Sequence, residues 1–69
     1  MKFFQFLYIL SSNIPLIVFN LNGEEICRVL SKEMLNSNLY DYDILEISGI
    51  GQIDFYREKL PTLIITLVK

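Results

Sequence analysis

Residues 14–30 read IPLIVFNLNGEEICRVL, two runs of β-favouring residues hinged on Asn22 and Gly23. Asn-Gly supplies the positive φ angles that a tight turn demands, so the stretch predicts a β-hairpin. Two pairings compete. A two-residue turn at Asn22 and Gly23 sets Leu21 opposite Glu24. A three-residue loop of Leu21, Asn22 and Gly23, with Gly23 left-handed, sets Asn20 opposite Glu24. The second is preferred; it gathers Ile17, Phe19, Cys27 and Val29 on one face and Leu16, Val18, Ile26 and Arg28 on the other. Both faces remain largely apolar, which predicts helices against one and a subunit or partner against the other.

Upstream, Lys2 precedes the run FFQFLYIL. Phe3, Phe6, Leu7 and Leu10 share one side of a helical projection and Gln5, Tyr8 and Ser12 another, predicting a helix over residues 2–12. Pro15 ends it near residues 12–14. Phe4 and Ile9 widen the apolar arc beyond what two turns can hide against a small sheet. Phe3, Phe4 and Leu7 are therefore the candidate self-association residues. The run also has the outline of a signal peptide, with Ser11 and Ser12 near a cleavage point. Gln5 interrupts it and a single basic residue precedes it, so the helix reading is adopted. A lone unpaired thiol, Cys27, fits a cytoplasmic location. No stretch approaches the ~20 apolar residues of a membrane span, and no membrane partner is expected.

Downstream, Ser31 can cap a second short helix, with Glu33 in its first turn and Met34, Leu35 and Leu39 turned inward. Asn36, Ser37 and Asn38 stop it. Residues 40–48, YDYDILEIS, alternate imperfectly and predict a third strand, with Leu45 and Ile47 on one side and Tyr42 and Ile44 towards the other. Gly49 and Gly51 loosen or turn the chain, and residues 52–59 read as strand or loop. After Pro61 the run TLIITLV is β-branched and apolar, which predicts a central strand. The fold class is α+β in one domain over residues 1–69: a small antiparallel or mixed four-stranded sheet with two short helices, in the order α-β-β-α-β-β.

A chain of 69 residues sits where one hydrophobic core is thermodynamically marginal. One cysteine and no histidine rule out an internal disulfide and the usual zinc sets. A second copy is the remaining reinforcement. With 52% hydrophobic and 20% charged residues, the composition leaves apolar surface for it, and a homodimer is expected. The net charge is −2 and the six basic residues are scattered, which argues against nucleic acid as a partner.

Without histidine, Cys27 and the serines lack the usual base, so no catalytic residue is assigned and an enzyme is not expected. Cys27 falls in a predicted strand and reads as a space-filling thiol. Asp41 and Asp43 stand two apart but the calcium-loop pattern does not continue, so no metal site or cofactor is expected. Gly49-Ile50-Gly51 lacks the third glycine and following helix of a phosphate loop and reads as a turn or bulge. Tyr40, Tyr42 and Tyr56, with Phe55, read as core or interface aromatics.

The layout of a short N-terminal helix, NLNGEEI, SKEML, YDYDILEI and a last apolar strand resembles small accessory proteins of bacteriophages and mobile elements of low-GC bacteria. The resemblance covers most of the chain through generic turn and strand features, and carries no site residue across. It implies a protein that inhibits or regulates a host or defence protein by direct binding. Tyr40, Asp41, Tyr42, Asp43 and Glu46 are the candidate partner-binding residues of such a module. A binder of a nucleotide or signalling metabolite, and a small subunit of a larger assembly, are the alternatives.

Overall fold

The computed structural model describes residues 1–55 and 58–69. One helix, α1 (Phe3–Ile9), leads into the hairpin β1 (Leu16–Phe19) and β2 (Glu25–Val29). Two 3-10 turns, Lys32–Met34 and Ser37–Leu39, precede the long strands β3 (Asp43–Phe55) and β4 (Glu58–Val68). The sheet order is β2-β1-β4-β3, with β1 parallel to β4 and both outer pairs antiparallel. The α+β class and the mixed four-stranded sheet match the sequence reading. The second α-helix is replaced by the two 3-10 turns.

That replacement has a local cause. Asn36 accepts the backbone amide of Asn38 on its own side chain at 3.1 Å, starting a new turn five residues after Ser31. Too few residues remain for an α-helix to repay its nucleation. Ser31 makes no side-chain cap hydrogen bond. Leu35 and Leu39 still turn inward and are buried, whereas Met34 is exposed.

The hairpin has the loop read from Asn22 and Gly23. Asn20 N donates to Glu24 O at 2.9 Å, Gly23 N to Asn20 O at 3.0 Å, and Gly23 has φ +82°. Asn20 Oδ1 also accepts the amides of Asn22 and Glu24, both at 2.9 Å. The expected faces need correction. The register slips between Val18 and Phe19, so Val18 faces Cys27, Leu16 faces Val29 and Ile26 becomes the extra residue of a bulge. Leu16, Val18, Cys27 and Val29 therefore share the core face. Asn20→Ala is expected to cost about 1 kcal/mol, the net worth of exposed loop hydrogen bonds. A thermal melt checks it; an unchanged midpoint would remove the loop's dependence on that side chain.

The core lies between this face and α1. Phe3, Leu7, Leu16, Val18, Val29, Leu35, Leu39, Ile65 and Leu67 form it, with Phe6, Leu10, Tyr42 and Ile44 packed alongside. Ile17 and Thr62, which the register puts on the opposite face, are also fully buried. The helix face foreseen from the apolar spacing is the one buried. Its length is shorter than foreseen, ending at Ile9, and Asn13 takes φ +70° before Pro15. Gln5 lies at the start of α1, where its side chain accepts the Lys2 amide at 2.9 Å.

β4 is central, between β1 and β3, as its β-branched run predicts. It also begins earlier than Pro61. Leu63 N donates to Pro15 O at 2.9 Å, so the missing amide of Pro61, two residues earlier, points to the same side. β1 pairs β4 only from Leu63 onward, so that side carries no β1 partner at Pro61. Gly49, with φ +93°, sits in a register shift between Ile47 and Ile50. The glycine pair thus marks a bulge in a continuous strand. Among the described residues, no helix is long and apolar enough to cross a membrane.

Candidate functional site

The N-terminus is stitched to the start of β3. Ile44 N donates to Met1 O at 2.9 Å, Phe3 N to Tyr42 O at 2.8 Å and Phe4 N to Tyr40 O at 3.2 Å. Lys2 Nζ lies 3.4 Å from Asp43 Oδ1 and donates to Asp41 O at 3.0 Å. Two segments distant in sequence, FFQFLY and YDYD, become neighbours through these bonds.

The expected partner-binding residues divide accordingly. Tyr42 and Asp43 hold α1 in place: Tyr42 packs half-buried against the core, and Asp43 is ion-paired to Lys2. The Lys69 ammonium lies 5.8 Å from the Tyr42 ring centroid, within cation–π range. Asp41 and Glu46 are exposed, and Tyr40 is half-buried. Tyr56 lies outside the described residues.

The expected self-association residues divide as well. Phe3 and Leu7 are 0% and 6% exposed, so both are spent on the monomer's own core, a correction to their reading as a docking face. Their spacing suits either role, and both join a core cluster that includes Leu35 and Leu39 beside the sheet residues. Phe4 stays at the surface with Tyr8 and Ile9, at 46%, 88% and 72% exposure.

Phe4 and Tyr8, one helical turn apart, line a groove of about 330 Å³ with Leu7, Lys32, Glu33 and Tyr40. Its walls are fixed by two contacts that no local pattern announces. Lys32 Nζ donates to Leu7 O at 2.7 Å and also to Leu10 O, closing the C-terminal end of α1. Glu33 accepts the Ser12 hydroxyl at 2.5 Å, and this bond holds its carboxyl below the ordinary range. The result is an aromatic groove with a charged rim.

Other features carry less chemistry. A second cavity of about 480 Å³ is lined, among the described residues, by Asn13, Ile14, Pro15, Leu30, Leu60, Pro61 and Leu63. Cys27 is half-buried, and burial first, then the charge of Glu25, pushes its thiol up, away from thiolate reactivity. Among the described residues, no group of three or more His, Cys, Asp or Glu side chains is placed to hold a metal ion. Glu25 and Arg28 form a two-contact pair at 2.5 and 3.0 Å on exposed β2, which lowers the Glu25 carboxyl.

Compared with known protein families, curated proteins and solved structures, the chain matches none.

Proposed function

We propose that this chain is a non-enzymatic protein-binding module that docks another protein on the groove between α1 and Tyr40. The observation that carries the reading is the exposure of Phe4 and Tyr8 on a helix whose opposite side is the core. Leaving two aromatic rings in water forgoes apolar burial that this small domain could use, and aromatic anchors are the residues on which interfaces concentrate their energy. Lys32 and Glu33 supply polar surroundings for orientation. The resemblance to phage and mobile-element accessory proteins directs the search for the partner to bacterial host and defence proteins.

The test compares the full chain with Tyr8→Ala as immobilised bait in a bacterial host lysate. Tyr8 is 88% exposed, so the variant is expected to melt as the parent does. A specific protein retained by the parent is expected to bind the variant at least about tenfold more weakly. Equal retention by both baits would remove the groove from the interface, and the absence of any specific protein would end the reading.

A further inference from the structure

The two edges of the sheet differ. β3 begins with its edge occupied, since Ile44 N is bonded to Met1 O and Lys2 bridges Asp43. Beyond that it carries two register shifts, between Ile44 and Glu46 and between Ile47 and Ile50, against the single bulge of β2. β2 forms the other edge, with β1 as its sheet neighbour, and reads Glu25-Ile26-Cys27-Arg28-Val29. Charges within an edge strand ordinarily deter pairing, because an incoming strand meets them with an apolar side chain or a like charge.

On β2 the two signs are spaced so that a second copy answers them. In an antiparallel, two-fold pairing that sets Ile26 opposite Cys27, Glu25 falls opposite Arg28 and Arg28 opposite Glu25. A shift of one residue in one direction sets Arg28 against Ile26 and Glu25 against Val29. A shift in the other sets Arg28 against Glu24 but leaves Glu25 against the thiol of Cys27, so only one of the two signs is answered. Glu25 and Arg28 already pair within each chain, and their side chains remain 37% and 41% exposed. Bringing two such pairs together produces an alternating ring of four charges. The two bulges at Ile26 then face each other beside the axis.

We propose that β2 is a homodimerisation edge, joining β2 to β2 of a second copy about a two-fold axis between Ile26 and Cys27. The pairing makes one continuous sheet through both copies and is closed by its symmetry, so it ends at the dimer. It is independent of the aromatic groove on α1. A five-residue edge belongs with the small, weak interfaces, and the dimer is expected to dissociate at micromolar concentrations.

Sedimentation velocity on the full chain, from roughly 5 to 500 µM, tests the proposal. The parent is expected to show a reversible dimer. Glu25→Arg and Arg28→Glu are each expected to remain monomeric, because each edge then carries one sign and repels itself. An equimolar mixture of the two variants is expected to restore a dimer containing one copy of each, which a change within one chain could not produce. A monomeric parent throughout, single variants that dimerise as the parent does, or a mixture that stays monomeric would each overturn the proposal. If circular dichroism shows that either variant has lost its fold, Glu25→Gln and Arg28→Gln replace the pair. These are expected to weaken the parent dimer at least about tenfold, and unchanged association would overturn it equally.

Discussion

Phe3→Ala is expected to leave the chain unfolded or nearly so at 25 °C. Phe3 is 0% exposed and belongs to the core cluster with Leu16, Val18, Ile65 and Leu67. Truncating a buried phenylalanine costs about 3–5 kcal/mol, from lost transfer free energy and the cavity left behind. A domain of 69 residues has roughly 3–10 kcal/mol of stability in all. The position also ties down the N-terminus, since the Phe3 amide reaches Tyr42 O and loss of its ring would free that segment from β3. Phe4→Ala is the control on the same helix. With Phe4 46% exposed, its truncation is expected to cost less than about 1.5 kcal/mol while weakening partner binding at the groove. Urea unfolding followed by circular dichroism separates the two. Similar losses for both variants would mean that the helix does not present these faces as described.

The helix face was legible because its periodicity has contrast: Gln5 and Tyr8 interrupt an apolar run at the positions that reach water. The hairpin was half legible. Asn22 and Gly23 announce the loop, and Asn20 meets Glu24 as read. The faces beyond it were not legible, because Ile17 and Phe19 are as apolar as Leu16 and Val18, and a strand apolar on both sides constrains its register weakly. The bulge at Ile26 then decides which set enters the core. The central place of β4 followed from its β-branched run. Its early start did not, because Pro61 reads as a boundary until the open side of its missing amide is known.

The groove was less legible than the fold. Phe4 and Tyr40 were each singled out, for different roles, and no local spacing says that they meet. They meet through the Phe4 amide on Tyr40 O at 3.2 Å, beside a one-residue bridge between Lys2 and Asp43 that leaves no trace in hydrophobic periodicity. Asp41 and Asp43 looked alike as neighbouring carboxylates, yet Asp43 engages the Lys2 side chain while the backbone carbonyl of Asp41 does so. Cys27 lies in β2, within the run read as a strand, and is half-buried, with burial pushing its thiol up.

Lys32→Met is expected to lower stability by about 2 kcal/mol and to deform the groove at the same time. The Lys32 ammonium serves the carbonyls of Leu7, which also accepts the Leu10 amide at 3.3 Å, and of Leu10, at the end of α1 where the dipole is negative. Methionine keeps the length and apolar stem of the side chain, so the loss reports the charge and its hydrogen bonds rather than packing. For a domain of this size the expected fall in melting temperature is roughly 8–16 °C. Lys32→Arg is expected to fall between parent and methionine variant, because a planar guanidinium keeps the charge but directs its donors differently from a compact ammonium. The groove adds a second readout. Phe4 and Tyr8 lie on the helix that Lys32 anchors to the first 3-10 turn, so partner binding is expected to weaken in the order parent, arginine, methionine. A methionine variant as stable as the parent would show that water serves the two carbonyls equally well. A loss of stability without weaker binding would place the partner away from this end of α1, and the lysine would then be a structural cap alone.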